Sequence, residues 1–226
     1  MSLSIDVVSI GTLSRNPLWN ERTAVRSAHA TTTLIRDHGQ SILVDPSLPP
    51  ELLRHRLDER TGLTPGDIDM VFLTSFRPVH RRGLALFDKA TWMIGGTERA
   101  TIVESINQVM QGVGMGVGVD VEDVSLDEMQ SESELLGRLE IAPDRVSPSV
   151  DLFPTFGPSP GHCSLIVRAA KTVVVAGDAV IDRNYFIEGR VWDCSSDPEA
   201  AKAAFRDLCE IAEIIVPGHD NIMLIT

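Results

Sequence analysis

The segment Met70-Val-Phe-Leu-Thr74 is apolar up to its last residue and breaks directly into Ser75-Phe-Arg-Pro-Val-His80. Such an uninterrupted apolar run reads as a buried strand, and the loop leaving a buried strand is where α/β proteins tend to place chemistry. The rest of the chain has to supply the sheet and cover it. Upstream, residues 5–10 form a short apolar run ended by Gly11, and the β-rich runs 31–36 and 41–44 are joined by Asp37-His38-Gly39-Gln40. This predicts an antiparallel opening whose second pair is a hairpin. Residues 51–60 follow Pro49 and Pro50, carry Glu51 in the first turn and precede Gly62, the punctuation of a helix with Leu52, Leu53 and Leu57 on one apolar face.

Downstream, residues 91–94 read as a strand and 97–111 as a helix. Gly112, Gly114, Gly116 and Gly118 then alternate with Val and Met, which does not match GxGxxG and reads as a loop or a glycine-weakened strand. Ser125-Leu-Asp-Glu128 has the form of a capping box opening a helix to about Leu139. Strands are expected at 150–155, 164–169 and 172–176, a helix capped by Asp197 at 198–212, and closing strands at 214–216 and 222–225. Strands and helices mix through both halves with no Pro, Gly or Ser-rich linker, so residues 1–226 read as a single α/β domain.

Composition narrows the function. A length of 226 with 43% hydrophobic residues supports a substantial core, and no apolar run reaches the roughly 20 residues of a membrane helix. The first residues lack the charge and apolar stretch of a signal peptide, so the expectation is a soluble cytoplasmic protein. The three cysteines, Cys163, Cys194 and Cys209, form no CxxC pair and read as reduced thiols. The net charge of −12 argues against a nucleic-acid binder. Much of that charge is local, since eight acids against Arg138 alone fall between Asp120 and Glu140, read as a solvated helical face. Around His80 the sign reverses, with Arg77, Arg81 and Arg82.

Four segments, in this order, resemble the metallo-β-lactamase superfamily: residues 31–36 followed by Ile42-Leu-Val-Asp-Pro46; Val71-Phe-Leu-Thr-Ser-Phe-Arg-Pro-Val-His80; Pro160-Gly-His162 followed by Gly177-Asp178; and Pro217-Gly-His219-Asp220. The resemblance spans nearly the whole chain. It implies a four-layer αββα sandwich with mixed sheets, two internally similar halves, and a metal site between the sheets that hydrolyses lactams, lactones, thioesters, phosphodiesters and related bonds with zinc or iron. The family's HxHxDH stretch departs here at three ligand positions: Ser75 and Arg77 stand for two histidines and Val79 for the aspartate, and only His80 matches. Carried over by position, the first metal keeps His162 and Asp178, and the second keeps His80, Asp178 and His219. An intact dinuclear centre is not expected.

Two imidazoles and a carboxylate suffice for one catalytic zinc, and suit non-haem iron as well. Such a metal lowers the pKa of its water to about 7, giving a nucleophile at neutral pH. Val79 can neither ligate nor orient that water, so turnover is expected to be slow unless Asp220 substitutes. Asp178 and Tyr185, whose hydroxyl suits a polarised carbonyl, complete the catalytic candidates. Asp45 is expected to support the metal loop by hydrogen bonding, as its counterpart in relatives does. Arg77 admits another reading: a permanent cation beside Asp178 could replace the first metal, leaving a metal-free site held by an ion pair.

Each residue also has an ordinary reading. His80 is a loop histidine, His162 and His219 follow Pro-Gly turns, Asp178 ends a strand, Asp45 caps a turn and Tyr185 packs in a core. Ser75 lacks a GxSxG elbow and Cys163 reads as a small buried residue starting a strand, so neither is favoured as a nucleophile. His29, His38 and His55 read as surface or helix residues. The leading expectation is a hydrolase with at most one metal, zinc ahead of iron, or none, acting on a small ester, lactone or thioester. The competing one is a pseudoenzyme that binds a small anion or a protein partner in the old cleft. An RNA nuclease is the weakest, for lack of a basic cluster beyond Arg81-Arg82. A homo-oligomer is compatible with either of the first two.

Overall fold

The computed structural model describes residues 3–110 and 126–225. Two six-stranded sheets each follow chain order. The first holds β1 (Ser4–Ser9), β2 (Thr32–Asp37), β3 (Gln40–Val44), β4 (Met70–Leu73), β5 (Thr91–Ile94) and β6 (Leu139–Ile141). The second holds β7 (Arg145–Ser147), β8 (Val150–Pro154), β9 (Cys163–Arg168), β10 (Thr172–Gly177), β11 (Ile214–Pro217) and β12 (Met223–Leu224). Both sheets are mixed: β1 to β3 pair antiparallel and β3 to β6 parallel. In the second, β10 and β11 are parallel and every other pair is antiparallel. The helices are α1 (Pro50–Thr61), α2 (Pro78–Arg81), α3 (Gly96–Met110), α4 (Leu126–Arg138), α5 (Arg183–Ile187) and α6 (Pro198–Ile211).

The two-residue alternation of strands sorts the core into layers. Leu43 and Val71 face outward onto Leu53 and Leu57 of α1, whereas Ile42, Val44 and Phe72 face inward. Val173 and Val175 of β10 meet that inner face, and Val174 turns outward to Leu208 of α6. The result is helix, sheet, sheet, helix. Each half repeats a hairpin, a helical crossover and a parallel strand: β2–β3, α1, β4 in the first, and β9–β10, α5 and α6, β11 in the second. Strand β4 of the first sheet and the paired strands β10 and β11 of the second end at one edge, and their exit loops carry Ser75–His80, Asp178 and His219.

Several expectations change in detail. Leu52 is 48% exposed, because the buried line of α1 runs through Leu53 and Leu57, four residues apart, and Leu52 falls beside it. The segment after β4 is not all loop: Pro78 holds Arg77 extended at φ −57° and ψ 141°, and then starts the single turn of α2 that carries His80 inward. Strands β6 and β7 and helix α5 were not anticipated. The expected closing strand shortens to Met223–Leu224. The glycine alternation at 112–118 and the Ser125 cap lie outside the described residues. No helix among the described residues is long and apolar enough to cross a membrane.

Candidate functional site

At the edge where the two sheets meet, Asp45 ends β3 with φ +50°, a left-handed conformation that Asp tolerates better than most residues. That turn points its carboxylate back across the top of β4. It accepts from the Thr74 amide at 2.9 Å, the Thr74 hydroxyl at 2.7 Å and His80 Nδ1 at 2.9 Å. His80 is wholly buried, and its Nε2 lies 3.2 Å from an Asp178 carboxylate oxygen without hydrogen-bond geometry to any partner. His219 repeats the arrangement from the other half. Its Nδ1 donates to the His29 carbonyl at 3.0 Å and its Nε2 lies 3.1 Å from the other Asp178 oxygen. A carbonyl can only accept, so Nδ1 of His219 carries a hydrogen, and the Asp45 carboxylate imposes the same tautomer on His80.

Asp178 sits between them because Gly177 turns the end of β10 at φ +52°. A Cβ on Gly177 would lie 2.6 Å from the Thr74 hydroxyl and 2.8 Å from His162 Nε2, so only glycine lets the chain approach this closely. Burial alone would raise the Asp178 pKa. The charge on His80 and the hydrogen bond from His219 outweigh it and hold the carboxyl well below the usual range. His80 responds in the opposite sense: burial pulls it down, but Asp178 and Asp45 overcome that and push it up to about 10.

One ligand atom each from His80, Asp178 and His219 lie within 4.8 Å of one another, all three residues buried. With Nδ1 of both rings carrying a hydrogen, both Nε2 atoms face the Asp178 carboxylate, where a cation completes the contact: a proton, as on the charged His80, or a metal ion in its place. The unpartnered Nε2 of His80 is the group most in need of one. These residues fit one metal ion, with Asp45 orienting a ligand from behind.

The expected first-metal position is filled differently. His162 is buried and not among the three: its Nε2 accepts the Asp178 amide at 3.1 Å, and its Nδ1 bonds the Thr155 hydroxyl at 2.8 Å. Thr155 continues to Ser164 at 2.9 Å, and Ser164 donates to the Ala176 carbonyl at 3.0 Å. Burial lowers the His162 pKa to about 4, more than the nearby carboxylates raise it, so the ring stays neutral at the end of this chain. Arg77, 25% exposed, donates from Nη1 to Asp178 at 3.0 Å and from Nη2 to the carbonyls of Pro158 and Cys194, while its guanidinium stacks 4.4 Å over the Trp192 ring. Ser75 is buried and donates to Glu98 at 3.1 Å. Val79 is half-buried and contributes only its carbonyl, which accepts from the Ala30 amide at 3.2 Å.

Two catalytic candidates stand outside the set. The Asp220 carboxylate accepts from the amides of Arg183 at 3.1 Å and Asn221 at 2.7 Å, turned to backbone rather than to the imidazoles. Tyr185 is fully buried with Leu13 and Ile181, its hydroxyl has no partner, and burial chiefly pushes its pKa up to about 12. Cys163 is a buried thiol with its pKa raised to about 12 by burial, which removes it as a nucleophile. Sequence reasoning did not find Glu98, Thr155 or Trp192. Glu98 shows only as a first-turn acid of α3, and Thr155 and Trp192 carry no local signal.

Residues 28–219 match the metallo-beta-lactamase superfamily. No curated protein matches the chain by sequence. Among solved structures, a Thermotoga maritima protein described as a metallo-beta-lactamase superposes with a TM-score of 0.69 at 17% identity, covering 100% of both chains. AidC, a dizinc quorum-quenching lactonase in complex with a homoserine product, gives 0.67 at 13% identity over 84% of this chain and 72% of its own. A mutant of B. thuringiensis AiiA with N-decanoyl-L-homoserine at its active site gives 0.61 at 19% identity over 96% and 92%. At these identities the structural matches establish a shared fold.

Proposed function

The chain belongs to the metallo-beta-lactamase superfamily, and on that premise we propose that it is a hydrolase holding a single divalent metal ion on His80, Asp178 and His219. Zinc is favoured over iron, and the substrates are small esters, lactones or thioesters. The observation that carries this reading is the convergence of the two Nε2 atoms on Asp178, with the buried Nε2 of His80 lacking a hydrogen-bond partner. When bound, such an ion supplies Lewis acidity toward water and the scissile carbonyl.

The chain's own groups divide the remaining work. Asp45 and the His29 carbonyl bond the two Nδ1 atoms and so turn both Nε2 atoms inward. Arg77 offers a fixed cation to charge developing on a carbonyl oxygen. Proton removal from the attacking water falls to Asp178, whose lowered pKa makes it a weak base, so turnover is slow. Lactones are the first substrates to test, because structural neighbours are lactonases or carry homoserine products.

The second reading, a cleft that binds a small anion without metal, is favoured by the Arg77 to Asp178 ion pair, which already balances part of the buried charge. Elemental analysis of protein purified without chelator or added metal separates the two. The hydrolase reading expects one equivalent of metal in the natural chain and none after His219→Ala. Substoichiometric metal that His219→Ala leaves unchanged would defeat it.

A further inference from the structure

Glu98 is a buried carboxylate densely bonded to uncharged donors. It accepts from the Ser75 hydroxyl at 3.1 Å, the Phe76 amide at 3.1 Å, the Ser159 hydroxyl at 2.8 and 2.9 Å and the Gly161 amide at 3.0 Å. Its place in the first turn of α3 suits a negative charge. The donors come from two segments only. Ser75 and Phe76 immediately precede Arg77, and Ser159 immediately follows Pro158, whose carbonyl accepts from Arg77 Nη2. The fit is close: a Cβ on Gly161 would fall 1.9 Å from the Glu98 amide nitrogen, so the 159–161 turn lies flat against the start of α3.

We propose that Glu98 is the positioning residue of this site: its carboxylate joins the loop after β4 to the loop before β9 and thereby fixes where Arg77 delivers its charge. In this chain Ser75 and Arg77 cannot share a metal with His162 to tie those two loops together. The tie is made instead by one buried acid bonded to both, with Arg77 spanning the same gap to Asp178 and Pro158. The inference concerns the placement of Arg77 and stands apart from the hydrolase reading, so its test uses metal-free protein and no substrate.

The test is 19F NMR of the full chain labelled with 5-fluorotryptophan. Arg77 stacks on Trp192, so that resonance, assigned by Trp192→Phe, reports the guanidinium, and the buried Trp92 reports the core. Glu98→Gln keeps the side-chain shape but can offer its oxygen to only one of the Phe76 and Gly161 amides and sets an amide donor against the other. It is expected to displace the Trp192 resonance in the direction of Arg77→Ala, by at least half as much, with Trp92 unmoved. In the double variant the two displacements do not add, because Glu98 acts through Arg77. A Trp192 resonance unchanged in Glu98→Gln, or displacements that add in full, would overturn the proposal. Should Glu98→Gln lose the Trp92 signal through unfolding, Ser159→Ala removes a single donor to the same carboxylate. It is expected to give a smaller displacement of the same sign that vanishes in the Arg77→Ala background, and a displacement that persists there is equally fatal.

Discussion

Asp45 makes the sharpest residue-scale prediction, because it touches His80 through one oxygen and Thr74 through both. Asp45→Asn tolerates the positive φ and keeps an acceptor, but loses the charge that orients His80. Metal affinity is expected to fall by about 10–100-fold, the usual cost of removing a group that orients a histidine ligand. Competition titration against a chromophoric chelator measures it, and an unchanged affinity would remove Asp45 from the site. Asp45, Asp178 and His219 stand out in the sequence because each lies within two residues of a strand end, and His80 because the order of the four resembles a known family. Glu98 could not: its partners lie 22 to 63 residues away, and in one dimension it is indistinguishable from any acid that begins a helix. The separate place of His162 was equally hidden, since its Nε2 is used by the amide of a residue 16 positions along.

At the scale of elements, the strands and long helices were legible because proline, glycine and capping acids punctuate them locally. β6 and β7 span only three residues each, and pairing to distant strands defines them, so no local pattern announces them. How elements are joined across the sandwich is a matter of buried polar contacts, and Asp37 is one. It ends β2 in the first sheet and accepts from the Ser147 hydroxyl of β7 at 2.7 Å and the Ser149 amide of the β7–β8 turn at 2.8 Å. Burial would raise its pKa, but these two donors and His38 prevail and lower it from 3.8 to about 2. A carboxylate more acidic in the folded than in the unfolded chain stabilises the fold fully above the unfolded value. That contribution, about 2 kcal/mol, is lost as pH falls from 3.8 toward 2. Urea unfolding from pH 6 to pH 2.5 should show this loss in the natural chain and a flatter profile in Asp37→Asn. Identical profiles would rule out the linkage.

The end of β10 gives a second element-scale prediction. Gly177→Ala forces a Cβ into the left-handed region and against Thr74 and His162. The conformational term alone costs about 1–2 kcal/mol, and the displaced Asp178 backbone should weaken metal binding as well. A midpoint in urea equal to that of the natural chain would show that the turn relaxes freely.

For the whole molecule, the three converging residues do not belong to one half. His80 follows β4 in the first sheet, whereas Asp178 and His219 follow β10 and β11 in the second. An ion held by all three cannot stay bound once the sheets separate, so its binding free energy opposes unfolding of the entire sandwich. Free metal at 100 times its dissociation constant adds about 2.7 kcal/mol of stability. For a chain of this size that corresponds to a rise in Tm of roughly 5–11 °C. The natural chain should show this rise on titration with zinc, as one cooperative transition. His219→Ala leaves His80 and Asp178 on opposite sides without the third donor, and its Tm should not respond to the same titration. Equal shifts in both proteins would place the bound metal elsewhere on the surface. A zinc-induced separation into two transitions would show that the ion grips one half only, contrary to a site built across the seam between the sheets.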